Sequence, residues 1–169
     1  MSVTYRRAER HDAAAIDTIF RTSFCDTFAH LYSAEDLGLF LAKFTREAWE
    51  GELDDPAYAF LLAEAGGEAV GYVKLGPLVL PVEAGADANE LRQIYVVKGQ
   101  HGSGIGAALM DWALGEAKAR GAGTLYLTVY TDNHRAKRFY ERYGFVVVGR
   151  YDFMVGNQAD EDIIMKLAL

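Results

Sequence analysis

The sequence predicts a mixed α/β (α+β) fold of about seven strands and about four helices. Three observations carry this. Apolar, β-branched and aromatic runs alternate with stretches of helical spacing in the order β, α, α, β, β, β, α, β, α, β, β. Gly66-Gly67 joins two of the runs as a hairpin. A glycine-rich turn, Gly102 to Gly106, leads one strand directly into a helix. The chain has 169 residues, 51% hydrophobic and 24% charged, so residues 1–169 are read as one globular domain with a real core.

Each element has a local reason. Val3 to Ala8 reads as the first strand. Asp12 is placed to cap a helix that carries Ile16, Ile19, Phe20, Ser23, Phe24 and Thr27 on one face. Ser33-Ala-Glu-Asp36 has the form of a capping box, and Leu37, Phe40, Leu41 and Phe44 follow at i, i+3, i+4 and i+7. Thr45 opens a further short helix presenting Trp49 and Leu53. Tyr58 to Glu64 and Ala69 to Leu75 are the hairpin strands, and residues 76–88 form a long connection. Leu91 to Val97 is a strand bounded by Lys98-Gly99. Beyond the glycines, Ile105, Leu109, Trp112 and Ala113 recur at helical spacing. Thr124 to Tyr130 is a strand, a helix follows Asn133, and Phe145 to Phe153 and Glu161 to Leu167 close the sheet.

The glycine turn carries the first chemical signal. Unpaired N–H groups at the positive end of a helix dipole form an anion site, so a phosphate-bearing ligand is expected. A P-loop needs Gly-Lys-Ser/Thr, and here Gly106-Ala107-Ala108 stands instead. Gly102, Gly104 and Ala107 satisfy the dinucleotide pattern, but residues 121–129 supply no acid for the ribose.

A second segment, Asn133-His-Arg-Ala-Lys-Arg-Phe-Tyr-Glu-Arg-Tyr-Gly-Phe145, decides between them. Together with His101-Gly-Ser-Gly104-Ile-Gly106 it resembles the GNAT superfamily of acetyl-CoA-dependent N-acetyltransferases. That family has Gln or Arg where this chain has His101. The resemblance implies a central mixed, mostly antiparallel sheet with coenzyme A in a splay between neighbouring strands. It implies coenzyme contacts from His101, Gly102, Ser103, Gly104, Ile105, Gly106, Asn133 and Arg142. It also implies a backbone donor among Ile94, Tyr95 and Val96 beside the acetyl group, which would require a local break in strand pairing such as a bulge.

Acetyl transfer to an amine needs a neutral amine, an oxyanion donor and a proton for the departing thiolate. Following the resemblance, Glu90 is the base, directly or through water, and Tyr140 is the acid. Alternation along the strand puts Glu90 on one face with Ile94 and Val96. Phe28, Tyr32 and Trp49 fall in the segment that shapes the acceptor pocket, and aromatic residues there serve as core or as substrate contact. Phe24-Cys-Asp-Thr-Phe28, Gly71-Tyr-Val-Lys-Leu75 and Glu90-Leu-Arg-Gln-Ile-Tyr-Val96 resemble the PaiA-type polyamine acetyltransferases.

The chain has 17 Lys and Arg against 24 Asp and Glu, a formal net charge of −7. This suits a cationic substrate and argues against nucleic acid. Together with the PaiA-type resemblance this makes spermidine or spermine the first acceptor, with Glu90, Asp26, Asp160 and Asp162 as candidate carboxylates. A peptide N-terminus, a lysine side chain and a non-catalytic coenzyme A-binding module are the alternatives. The four histidines show no ligand spacing, so no metal is expected. No apolar run reaches the ~20 residues of a membrane span, and the start lacks a secretory h-region. A cytoplasmic protein is expected, monomer or homodimer. The single cysteine, Cys25, is read as a buried core thiol.

Overall fold

The computed structural model describes residues 2–169. The first strand, β1 (Val3–Arg7), is followed by three helices, α1 (Ala13–Phe28), α2 (Ala34–Leu41) and α3 (Arg46–Asp54). Strands β2 (Ala59–Ala65), β3 (Glu68–Pro77) and β4 (Ala88–Val96) come next. Then follow α4 (Ile105–Ala119), β5 (Thr124–Tyr130), α5 (His134–Arg142), β6 (Val146–Val155) and β7 (Gln158–Ala168). The element order is the expected one, and the short helix after Thr45 makes five α-helices rather than about four. The seven strands form one sheet in the order β1-β2-β3-β4-β5-β7-β6.

Every neighbouring pair is antiparallel except β4 and β5. These two run parallel because α4 crosses between them. They pair only where Ala88, Glu90 and the residue between them meet Thr124 to Tyr126, and then part. Side chains alternate across the sheet, so both faces of its centre are buried. Leu61, Ala63, Val73, Leu125 and Leu127 pack under Leu109, Met110 and Ala113 of α4. Phe60, Leu62 and Tyr72 face Ile16, Phe20 and Phe24 of α1, Phe40 of α2 and Trp49 of α3.

The caps follow the predictions unevenly. Ser33 Oγ accepts the Asp36 N–H at 3.1 Å and Thr45 Oγ1 accepts the Ala48 N–H at 3.1 Å. Asp36 does not close a box, because its carboxylate accepts the Asn157 N–H at 2.8 Å from the β6–β7 turn. Asp12 precedes α1 without capping it. Its carboxylate takes the Arg6 guanidinium at 2.8 Å and the Glu9 N–H at 2.7 Å. Cys25 is half-buried rather than buried, one position past the stripe Ile16, Ile19, Phe20, Ser23 and Phe24 that faces the sheet.

A bulge in β4 corrects the expected facing of Glu90. Lys74 pairs with Gln93 and Leu75 with Leu91, leaving Arg92 as an extra residue. The alternation changes phase there. Leu91, Ile94 and Val96 pack toward α4, whereas Tyr95 packs toward α1. Glu90, beside Leu91 and before the bulge, therefore shares its face with Gln93 and Tyr95, not with Ile94 and Val96.

Candidate active site

The parting of β4 and β5 opens a cavity of about 1240 Å³ that runs from the glycine turn, past the free edge of β4, to an aromatic chamber under α1 and α2. On the side facing β5, the backbone from Leu91 to Val96 has no strand partner. Backbone donors in such a site are fixed before any substrate arrives.

The turn builds one end. Gly102 and Gly104 have φ of +80° and +86°, and Gly104 is the N-cap of α4. A side chain is strained in that conformation. A Cβ at either glycine would meet open space, so the loop surface is clear for an approaching phosphate. Arg135, Arg138 and Arg142 line the same end at i, i+3 and i+7 on α5. The fourth cation of that helix, Lys137, turns away to the Thr131 carbonyl at 3.2 Å. Arg142 was the one expected from the sequence. Arg135 and Arg138 join it, their spacing with Arg142 being that of one helix face. Asn133 lines the cavity and caps α5, with Oδ1 accepting the Ala136 N–H at 3.3 Å. Ser103 Oγ donates to the Gln100 carbonyl, and the Ile105 side chain is buried in the core, so these two can offer a ligand only their backbone.

Tyr140 lines the cavity, its ring edge-on to Phe139 and Phe145 at 5.5 and 5.9 Å. Burial alone pushes its phenol above the usual tyrosine range, so the hydroxyl stays protonated and available as a donor. Tyr95 also lines the cavity, and burial first, then its neighbours Tyr140 and Asp162, push its phenol up.

Glu90 is 6% exposed. One oxygen accepts the Val79 N–H at 3.0 Å and the other lies 3.3 Å from Arg92 Nε. Burial raises its pKa, while the backbone donors and Arg92 pull it down. Lys74 lies close by, paired with Glu52 at 2.9 Å and set over the Trp49 ring at 5.2 Å. Desolvation lowers the Lys74 pKa.

The chamber beyond is aromatic and acidic. Phe28, Tyr32, Tyr130, Tyr151 and Phe153 line it, together with Asp26, Asp160 and Asp162. Trp49 also reaches it and is otherwise core, with Nε1 donating to Asp17 at 2.8 Å. Tyr32 donates its hydroxyl to Asp160, which also takes the Gln158 amide at 3.1 Å. Strand alternation puts Asp160 and Asp162 on one face of β7. The four carboxylates named from the sequence thus line one cavity, which sequence distance could not show. Among the described residues there is no group of three or more His, Cys, Asp or Glu that could hold a metal ion. No helix is long and apolar enough to cross a membrane.

A glycine turn at a helix start, a strand edge with free backbone donors and a buried phenol line one cavity, an arrangement that suits a phosphate-bearing ligand and a reaction at a carbonyl. The Acetyltransferase (GNAT) family model matches residues 18–145, and the chain belongs to that family. It is 31% identical over 153 residues to an uncharacterized N-acetyltransferase of Lactobacillus delbrueckii subsp. lactis, covering 89% of this chain and 88% of that one. It is 36% identical over 137 residues to an uncharacterized N-acetyltransferase of Mycobacterium tuberculosis, covering 80% of each. The fold is similar to the crystal structure of the PaiA N-acetyltransferase of Thermoplasma acidophilum in complex with coenzyme A. That match has a TM-score of 0.81 and 24% identity and covers all of both chains. The protein is an acyltransferase of the GNAT type that moves acetyl from acetyl-CoA to an amine.

Proposed function

We propose that the acceptor is a primary amine of a small polycation, with spermidine or spermine first. The observation that carries this is the chamber itself, where the buried carboxylates Asp160, Asp162 and Glu90 and the exposed Asp26 line one cavity. Several carboxylates in one partly dry site favour a ligand with several ammonium groups. Phe28 and Tyr32 supply apolar wall for the methylene chain.

The coenzyme arm is held by the residues that fit it. Backbone N–H groups of 102–106 and the arginines Arg135, Arg138 and Arg142 meet the phosphates, and Asn133 borders the arm. Backbone donors of Ile94 to Val96 hold the oxyanion. Glu90 takes the proton that leaves the nitrogen once the carbon–nitrogen bond has formed, through a water molecule. Tyr140 gives its proton to the departing sulfur and is reprotonated from Glu90 by the same route. This reading treats residues 1–169 as one domain working in the cytoplasm. A homodimer would find an unpaired edge in β6, where Val146, Val147 and Val148 are exposed.

An amine panel with acetyl-CoA, followed by thiol release, tests the assignment. Spermidine should exceed simple monoamines in kcat/KM, and its KM should rise with ionic strength. Efficient acetylation of a peptide N-terminus or lysine, with spermidine no better than a monoamine, defeats it.

A further inference from the structure

We infer that Asp162 is the group that takes the first proton from the incoming ammonium, ahead of the step served by Glu90. This rests on the amine reading above.

An alkylammonium with a pKa of about 10.4 must lose a proton before it can attack. A buried acceptor for that proton should face the chamber and be free of strong cationic partners. Glu90 faces the chamber but is tied to the Val79 N–H and to Arg92 and sits in the electrostatic neighbourhood of Lys74. Asp162 meets both conditions. It is 6% exposed and lines the cavity. Its strand register sets it opposite Tyr130 of β5 and Tyr151 of β6. Tyr95 lines the same cavity, its phenol raised first by burial and then by Tyr140 and Asp162. Asp160 has its own donors in Tyr32 and Gln158. Asp162 has the Thr128 hydroxyl alone to favour its charged form.

The groups that face Asp162 are Asp160 from its own strand, Thr128 and Tyr130 from β5, Tyr151 from β6, Tyr95 from β4 and Tyr32 after α1. None is a cation. Desolvation, and then the negative charge of Asp160, push the Asp162 carboxyl up to about 7. That is the range in which a carboxylate can accept a proton and release it again at neutral pH.

The step balances. The carboxylate takes one proton from R–NH₃⁺, leaving neutral R–NH₂ and a carboxylic acid. Asp162 then gives that proton to water through the open chamber. The amine forms its bond to the acetyl carbon, its second proton goes to Glu90, and Tyr140 protonates the sulfur as the carbon–sulfur bond breaks.

The experiment is a pH profile of kcat/KM with a simple monoamine and with spermidine, for wild type, Asp162→Asn and Thr128→Val. Wild type should show an acid limb near pH 7. Asp162→Asn should lose roughly 100-fold at pH 7 with both amines, lose the limb, and recover to within about tenfold near pH 11, where most of the amine is already neutral. Its acetyl-CoA affinity should be unchanged. Thr128→Val is nearly isosteric and removes the one donor, so its acid limb should move up by roughly half a unit to one unit.

A wild-type profile in Asp162→Asn overturns the inference. So does a loss confined to spermidine, which would make Asp162 a clamp for a remote ammonium. An unmoved limb in Thr128→Val overturns it even if Asp162→Asn fails to fold. Absence of turnover by wild type with every amine defeats the acceptor reading, and this inference with it.

Discussion

His101 ties the end of β4 to Arg135 of α5. Its Nε2 lies 2.8 Å from the Val96 carbonyl and its Nδ1 lies 2.7 Å from an Arg135 guanidinium nitrogen. Arginine can only donate, so Nδ1 accepts and Nε2 carries the hydrogen toward Val96. The residue that departs from the family pattern therefore holds an arginine beside the glycine turn. His101→Ala should weaken acetyl-CoA binding by roughly five- to twentyfold, the loss of one or two hydrogen bonds of about 1 kcal/mol each. Calorimetric titration checks this, and wild-type affinity would show that Arg135 needs no anchor.

Gly104→Asp should abolish measurable acetyl-CoA binding while the protein stays folded. The position has φ of +86° and opens onto free space, so the new carboxylate would be strained and would stand where phosphate must approach. Thermal melting with and without acetyl-CoA separates the two effects. A wild-type ligand shift would move the site elsewhere.

Tyr140→Phe removes one hydroxyl and keeps the ring packed against Phe139 and Phe145. We expect kcat to fall about 10²- to 10⁴-fold, the range for a positioned proton donor, with acetyl-CoA affinity unchanged. Single-turnover rates are the measurement, because slow product release could mask the loss. Unchanged chemistry would leave Tyr140 as packing alone.

Asp162 also makes a prediction about stability. Its folded-state pKa of about 7 lies above its value of about 3.9 in the unfolded chain. Between those values the folded protein binds more protons than the unfolded one, so this group's contribution declines as pH rises from about 4 through about 7. The full shift corresponds to roughly 4 kcal/mol as an upper bound. Asp162→Asn removes the titration. The melting temperature of wild type should therefore fall, relative to Asp162→Asn, by several degrees between pH 5 and pH 8. Parallel curves would show that Asp162 titrates in its ordinary range.

Some of the site could be read directly from the chain because it depends on local geometry. A glycine-rich turn before a helix and an Asn133-to-Phe145 segment at helical spacing act within a few residues of themselves. They placed Gly102, Gly104, Gly106, Asn133 and Tyr140 around one cavity without reference to the rest of the fold. Arg135 and Arg138 were visible as charges but not as cavity residues, because a helix's charged stripe looks the same whether it faces water or a cleft.

The facing of Glu90 failed for a different reason. Strand alternation is a local rule, and one inserted residue reverses it. Whether Arg92 is paired or bulged is decided by the register of β3 against β4, a long-range property that the residues of β4 do not encode on their own. Cys25 followed the same logic on a helix, where one position, or 100°, separates a core side chain from a half-exposed one.

By itself, then, the sequence determined the element order and the family and singled out the glycine turn and Tyr140, since each rests on spacing within one segment. The tertiary structure alone decided which carboxylates share a chamber. Asp26 lies on α1, Glu90 on β4, and Asp160 and Asp162 on β7. They line one cavity because β4 and β5 separate after three residues and β7, not β6, lies next to β5. Sheet order is set by the pairing of strands distant in the chain, and burial in that chamber is what lifts Asp162 into the range where it can exchange a proton.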